Sequence, residues 1–441
     1  MKIAERLDRL PLTKLHLGIF LLCTFGLFAD IAEVALSNAF SAIFLAPPYS
    51  ISRSELSLLL GAVFAGGAVG APIFGWFADR SGRRVALQLA LAVVAASSLA
   101  VAACQSVGQM MVFRFVSGLA LGAYPPLTAA YLSDILPPRR RGMLMMLCAA
   151  LAFLGAPAVI LLIRWLTPLA PLEVEGWRWA LILGGSLAAA TACLFFLAPE
   201  SPRWLATLGR NADADRTCRR FEVAASVAPP SMAASAEPAS ASSGFRALAA
   251  DRGHVGRAVL LAALYMLGPW ATIGFPLLSA AVMVQKGFHV SESLLFAGMT
   301  MLGPTVGNAA IAMVIDSIGR RVSLVLCSGV MILAGIVFAL GSGFGLLIGA
   351  GFVFNLTSAV YSAVLSIYGA ELFPTNLRAS ATAGVWGLGR VVSAFVPVVL
   401  LPLLGQQGPL AMFGIISAAL LASLMLILVA GPPGLARQPV P

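Results

Sequence analysis

Charge is what this 441-residue chain has least of. Asp, Glu, Lys and Arg together make up 10% of it, whereas a soluble domain of this size carries about 25% to keep its surface hydrated. Histidine is rarer still. His16, His254 and His289 are the three present, and none has a neighbour in a catalytic or metal-ligand spacing. The six cysteines (Cys23, Cys104, Cys148, Cys193, Cys218 and Cys327) lie far apart with no CxxC, five of them inside long apolar runs. An isolated cysteine in such a run is usually a small apolar filler. These absences leave an enzyme reading without support and call for no metal or cofactor.

Apolar residues take the place of charge. They make up 60% of the chain, and mean hydropathy is +0.94. Runs of about 20 apolar residues, each long enough to cross a hydrocarbon core of ~30 Å, recur from end to end. Twelve spans are expected, at 16–40, 55–78, 85–105, 109–133, 143–166, 177–198, 257–283, 293–315, 322–341, 345–369, 379–404 and 408–431. The start of the chain has the outline of a signal peptide, with basic residues before Leu15–Phe28. However, the apolar run is too long, lacks a small-residue cleavage site and contains Asp30 and Glu33, so it reads as an uncleaved first helix.

The formal net charge of +10 raises the question of a nucleic-acid partner, and its distribution answers it. Nearly all the basic residues fall in alternate loops: Lys2 to Lys14, Arg80 to Arg84, Arg139 to Arg141, Arg203 to Arg257, Arg320 and Arg321, Arg378 and Arg437. The other loops hold Arg53, Arg164, Arg178 and Lys286. That asymmetry is the positive-inside pattern and places both termini in the cytoplasm. The basic excess thus reports topology in a bilayer, and no nucleic acid is needed to explain it.

Six spans precede residue 199 and six follow residue 256. This predicts an N-terminal bundle over 1–198, a cytoplasmic linker over 199–256 and a C-terminal bundle over 257–441. Within the linker, the Ala/Ser/Pro tract 223–244 is too poor in large apolar residues to order itself. The flanks 203–222 and 245–257 alternate charged and apolar residues, as short surface helices do. The halves also repeat. Gly75-Trp-Phe-Ala-Asp79-Arg80-Ser-Gly82-Arg83-Arg84 follows the second span, and Asp316-Ser-Ile-Gly319-Arg320-Arg321 follows the eighth, the equivalent place. Parallel repeats of this kind mark transporters whose substrate site lies between two related bundles.

Gly75 is expected to let helices approach closely, and Asp79 to accept from a helix N-terminus or from an arginine of the other half. The second copy departs from the first, with Ala312 in place of the glycine and Ser317 in place of the arginine. Three more stretches are distinctive: Arg114 to Gly122 with Asp134 to Gly142 around the fourth span, Pro199-Glu200-Ser201-Pro202-Arg203-Trp204-Leu205 after the sixth, and Glu371-Leu-Phe-Pro374-Thr-Asn-Leu-Arg378 after the tenth. Together with GWFADRSGRR, these resemble the major facilitator superfamily over essentially the whole chain. They point to its branch of niacin-type, aromatic-acid:proton symporter, organic-ion carrier and sugar-porter proteins. The resemblance implies an all-α membrane protein of two pseudo-symmetric six-helix bundles, acting as a monomer in a bacterial inner membrane. The candidate gate on the cytoplasmic side comprises Asp79, Arg80, Arg83, Arg84, Asp134, Arg141, Glu200, Arg203, Asp316, Arg320, Glu371 and Arg378.

Charges at membrane depth cost about 2.5–3.5 kcal/mol each on insertion scales, so they face a cavity or pair. Asp30, Glu33, Arg114 and Arg390 fall in this class. Asp30, Glu33 and Ser37 share a helical face, and Arg114, in the same half, is their natural counter-ion. The family resemblance implies that the first-helix acid and the fourth-helix arginine form the proton-coupling pair, which maps onto Asp30 and Arg114. A static ion pair that fixes packing is the alternative, and a sodium site a further one. On the eleventh span, Thr382, Trp386, Arg390, Ser393 and Pro397 form one stripe. In organic-anion carriers of this branch an arginine in a similar Arg-Val-x-Ser context faces the substrate path. An arginine fork matches a carboxylate, so Arg390 is the candidate anion site, unless it merely neutralises a helix terminus. Further candidates for the cavity wall are Asn355 and Tyr361 on the tenth span, Tyr265 and Trp270 on the seventh, Tyr124 on the fourth and Asn308 on the eighth. Pro269 and Pro276 are expected to break backbone bonds and let the seventh span bend.

The function expected is proton-coupled symport of a small organic anion, an aromatic or heterocyclic monocarboxylate, by alternating access. An exporter of organic cations working by proton antiport, a sugar porter and a non-transporting sensor are the rivals. For the exporter stands Ala156-Pro157 on the fifth span, and against it Ile160 and Leu161 where that motif has glycines.

Overall fold

The computed structural model describes residues 3–226, 252–314, 319–373 and 375–432, with side chains at all of these except 252–254, 312–314, 370 and 375–384. Among the described residues, twelve helices are long and apolar enough to cross a membrane. Spans 1 to 6 are Lys14–Ile43, Arg53–Ser81, Arg83–Ala103, Val107–Ile135, Pro138–Leu166 and Gly176–Leu197. Spans 7 to 12 are Val255–Gln285, Val290–Ile311, Arg320–Leu340, Phe344–Gly369, Val385–Gln407 and Pro409–Ala430. Each of the twelve expected runs coincides with a helix over the described residues, with ends that differ from expectation by a few residues, in some spans because a polar cap extends the helix. Thr13, for example, accepts from His16 N and starts span 1 before its apolar run.

Proline interrupts the ladders where it removes an N–H. Span 7 consists of Arg252–Thr272 and Gly274–Gln285, broken at Ile273 between Pro269 and Pro276. Span 4 likewise breaks after Leu121, just ahead of Pro125 and Pro126. Outside the spans, Ile3–Asp8, Pro202–Thr207 and Asn211–Ala224 form short helices on the end of the molecule that carries the arginine loops, here termed the basic end. Arg6 grips the Glu222 carboxylate with two parallel bonds of 2.9 Å and reaches Asp215 at 2.6 Å, which ties the first short helix to the third. Residues 227–251, most of the Ala/Ser/Pro tract, and 315–318 with Asp316 lie outside the described residues.

Lipid tails are as apolar as leucine, so spans associate through close packing of small residues. Span 2 meets span 4 at backbone distance. A Cβ added at Gly118 would fall 2.2 Å from Val63 O, and one at Gly66 would fall 2.1 Å from Phe115 O. Spans 8 and 10 repeat the arrangement, with Gly303 and Gly307 against the backbone of Phe352 and Leu356. The two halves touch through spans 2 and 11, 1 and 7, and 5 and 8. Gly75, by contrast, has open space where a Cβ would stand, with no atom within 4 Å, so it is not the close-approach residue expected from the sequence. The approach lies a turn or more deeper, at Gly66 to Gly70.

Gly118→Ala should therefore destabilise the protein by roughly 1–3 kcal/mol through overpacking, read as a lower melting temperature of the purified protein. Gly75→Ala should melt with the parent. Equal melting of both variants would mean that spans 2 and 4 do not depend on this contact.

Candidate substrate and coupling site

Arg114 is fully buried, and its Nη1 donates to Glu33 Oε1 at 2.7 Å and to the Glu33 carbonyl at 3.2 Å. Its Nη2 donates to Ser37 Oγ. Ser98 Oγ of span 3 donates to the other Glu33 oxygen at 2.9 Å. Glu33 and Arg114 thus form a buried ion pair with additional hydrogen bonds, the condition under which such a pair is tolerated. This corrects the pairing of Arg114 with Asp30. Arg114 lies about two turns into span 4 from the end opposite the arginine loops, a level that span 1 reaches at Glu33 and Ser37. Asp30, one turn nearer the basic end, is buried, and its Oδ1 has no hydrogen-bond partner among the described residues. The positive charge that acts on it most strongly is Arg390 of the other half, and the negative one is Glu33.

Spans 7, 10 and 11 enclose a cavity of about 240 Å³. Its wall includes Tyr265 and Thr272 from span 7, Tyr361 and Ser366 from span 10, and Trp386, Arg390 and Ser393 from span 11. Trp386, Arg390 and Ser393 of the expected stripe therefore meet one cavity, whereas Pro397 packs beside Gly61 of span 2 and the side chain of Thr382 is outside those described. The Arg390 guanidinium stacks over the Trp386 ring at 4.5 Å. Among the described residues no carboxylate comes within ion-pair distance of it. Tyr361 is anchored from behind by Ser423 Oγ at 2.7 Å.

The remaining candidates for the wall are elsewhere. Trp270 packs against the core of its bundle. Tyr124 is fully buried and wedged on Gly26 of span 1, where a Cβ would fall 1.8 Å from its hydroxyl oxygen. Asn308 donates to Pro304 O at 2.8 Å, one turn back in its own helix. Asn355 is buried with both amide atoms unpartnered among the described residues. Ser98, the second of two adjacent serines in an apolar run, and Ser423, a lone hydroxyl in another, carried no signal in the sequence.

At the basic end, Glu200 organises the first half. Its carboxylate accepts from the backbone N–H of Arg83 at 3.0 Å, Arg84 at 3.1 Å and Ser201 at 2.9 Å, capping the start of span 3. Burial pushes the Glu200 carboxyl above the ordinary glutamate range, and these N–H donors pull it back. Gly82 is required there, with φ of 109° and a Cβ position 2.2 Å from Glu200 Oε2. Arg84 donates to Ala198 O at 3.2 Å. Asp134 accepts from Ser201 Oγ at 2.8 Å, while Arg203 donates to Asp134 O at 2.9 Å and to Asp8 at 2.5 Å. Arg141 bonds Leu136 O at 3.1 Å and Asp8 at 3.5 Å. In the second half Arg320 pairs with Glu371 at 3.0 Å, and the Arg378 side chain is outside those described.

Asp79 does not reach the other half, contrary to expectation. It is exposed and pairs with Arg83 at 2.5 Å, one turn along its own loop, while Arg80 stacks on Trp76 at 4.2 Å. Among the described residues the hydrogen bonds between the halves lie instead at the opposite end. There Asn38 Nδ2 donates to Pro276 O and to Ser279 Oγ at 3.2 Å, and Arg164 donates to Ser291 O at 3.1 Å. These hydrogen bonds tie residues 3–226 to residues 252–432.

The model of the family described as "Sugar (and other) transporter" matches residues 25–436. Among curated proteins, the putative metabolite transport protein YyaJ of Bacillus subtilis is 27% identical, over 99% of this chain and 96% of its own. The niacin transporter NiaP of Acinetobacter baylyi is 23% identical over 98% and 97%. The 4-hydroxybenzoate transporter PcaK of the same organism is 26% identical over 89% and 86%. Among solved structures, a partially occluded inward-open form of the xylose transporter XylE from E. coli superposes with a TM-score of 0.74 at 17% identity, covering 95% of this chain and 98% of that one. That likeness establishes the major facilitator fold. With a family match spanning nearly the whole chain and twelve membrane-crossing helices, this protein belongs to the sugar (and other) transporter family and is a multi-pass bacterial inner-membrane transporter of small organic metabolites.

Proposed function

We propose that the protein is a proton-coupled symporter of a small organic anion, an aromatic or heterocyclic monocarboxylate. The observation that carries this reading is Arg390: a cation with no carboxylate partner among the described residues, stacked on Trp386, at the wall of a cavity flanked by aromatic rings and hydroxyls. Its fork matches a carboxylate, while Tyr265, Tyr361 and Trp386 suit a flat ring. At about 240 Å³ the cavity lies just below the usual range of ligand-pocket volumes, which favours a single ring. Relatives named for niacin and 4-hydroxybenzoate support the class.

The two acids of span 1 divide the work. Glu33 is held by Arg114 and Ser98 and keeps the bundle together, whereas Asp30 is left to take the proton. Substrate carboxylate and Asp30 compete for the field of Arg390, so anion binding and proton binding to Asp30 favour each other. With the basic end in the cytoplasm, the seam at Asn38 closes the outer side and the structure is the inward-facing member of an alternating-access pair. The clamps built on Glu200 and on Arg320–Glu371 keep each half rigid at the gate as the halves rock.

Affinity for a carboxylate should fall in the order Arg, Lys, Ala at position 390, because lysine keeps the charge but loses the fork. Loss of a desolvated charged partner costs roughly 2–5 kcal/mol, or about 30-fold to several-thousand-fold. Titration of carboxylate, amide and amine analogues of one scaffold tests this. An Arg390→Ala variant that binds the carboxylate as the parent does would sink the anion reading and favour a cation exporter.

Asp30→Asn should lose accumulation driven by a pH gradient in proteoliposomes yet keep counterflow, because Asn mimics the protonated acid. Glu33→Gln should instead fail as a folded protein, since stranding a buried arginine costs about 3–5 kcal/mol. Normal gradient-driven accumulation by Asp30→Asn would remove Asp30 from the coupling step.

A further inference from the structure

Four basic side chains lie at the end away from the arginine loops, and three of them are engaged. Arg164 donates to Ser291 O, Arg178 bonds Glu175 at 2.7 Å, and Lys286 Nζ donates to the carbonyls of Ala339 and Gly341 at 2.8 and 2.7 Å. Arg53 has neither an ion pair nor a hydrogen bond among the described residues. The nearest acid in sequence, Glu55, is turned back onto Ser52 Oγ at 2.7 Å. Arg53 also opens span 2, where the free amides of a helix start add partial positive charge.

The position of Arg53 is specific. Its guanidinium lies on Gly405 of span 11, so close that a Cβ there would fall 2.1 Å from Nη1. Beside it is a cavity of about 380 Å³ that belongs to neither half alone. Leu45, Ile51 and Arg53 come from the first half, and Val284, Gln285 and Leu404 from the second. One Gln285 amide N–H is committed to Leu404 O at 2.8 Å, leaving Arg53, itself exposed, as the charged donor beside the aliphatic side chains of Leu45, Ile51, Val284 and Leu404. A cation beside aliphatic side chains, in a wall that is polar and apolar in similar measure, favours an anion with an apolar body.

We propose that this cavity is a second binding site for a small amphipathic monocarboxylate, with the carboxylate on Arg53. Because its walls come from both halves, the site exists while the halves meet at this end, and its occupant holds that end closed. The proposal requires Arg53 and its cavity, and does not depend on the central site at Arg390.

Benzoate is the probe, titrated against the purified full-length protein in lipid nanodiscs. In an Arg390→Ala background, which removes the central site, benzoate binding should persist. Adding Arg53→Gln should weaken it about tenfold or more, the order of a charge-assisted hydrogen bond, with Arg53→Lys falling in between. Maleimide labelling of Ser279→Cys, buried in the seam outside this cavity, should slow several-fold with benzoate and be indifferent to benzoate once Arg53→Gln is added. Equal benzoate affinity in the Arg390→Ala variant with and without Arg53→Gln overturns the site, and labelling that benzoate leaves unchanged or speeds overturns the closure. The central reading fails separately, if adding Arg390→Ala to an Arg53→Gln background leaves benzoate affinity unchanged.

Discussion

A hydrocarbon core contains no water to solvate a charge, and the centre of this protein is arranged around that constraint. Arg114 and Glu33 meet most of it within one half: the guanidinium Nη atoms have the carboxylate, the Glu33 carbonyl and Ser37, Nε alone lacks a partner among the described residues, and the carboxylate has Ser98 in addition. Asp30 and Arg390 do not satisfy it alone. One is a buried acid with an unpartnered oxygen on span 1, the other a cation on span 11 without an ion pair among the described residues, and each is the other's principal opposite charge across the halves. A carrier needs one arrangement that stays fixed while it moves and another that its ligands complete. The two pairs supply these in turn.

The same division runs through the rest of the fold. Close glycine contacts between spans 2 and 4 and between spans 8 and 10 make each half a stiff body. At the basic end Glu200 and Asp134 draw the loops of the first half together, and Arg320 and Glu371 do so in the second. Among the described residues the hydrogen bonds between halves lie at the other end, where Asn38 meets Pro276, and there Arg53 also lies on Gly405. Rigid halves joined at a separable seam are what rocking about a central cavity requires.

The architecture was legible because it rests on composition and period. Twelve apolar runs, alternating basic loops and a repeated loop motif survive any error in the ends of helices. The stripe of Trp386, Arg390 and Ser393 was legible for the same reason, since helical spacing alone puts those residues on one face. What escaped depends on how one helix is set against another. Which acid Arg114 meets is fixed by the depth of span 4 relative to span 1, and no spacing within either span encodes it. Gly75 and Gly118 look alike in sequence, yet only Gly118 faces a neighbouring backbone. Tyr124 and Asn308 sit on plausible faces, but Tyr124 is used in packing and Asn308 bonds the backbone of its own helix.

The central claim is that an anion at Arg390 and a proton at Asp30 bind cooperatively. The most direct measurement is the number of protons taken up per anion bound, from calorimetric titration of the purified protein with benzoate in buffers of different ionisation enthalpy. Reciprocal coupling between the two sites predicts net uptake approaching about one proton per anion at the central site in the parent, and none in Asp30→Asn. Binding with no linked proton in the parent, or uptake that survives in Asp30→Asn, would contradict the account.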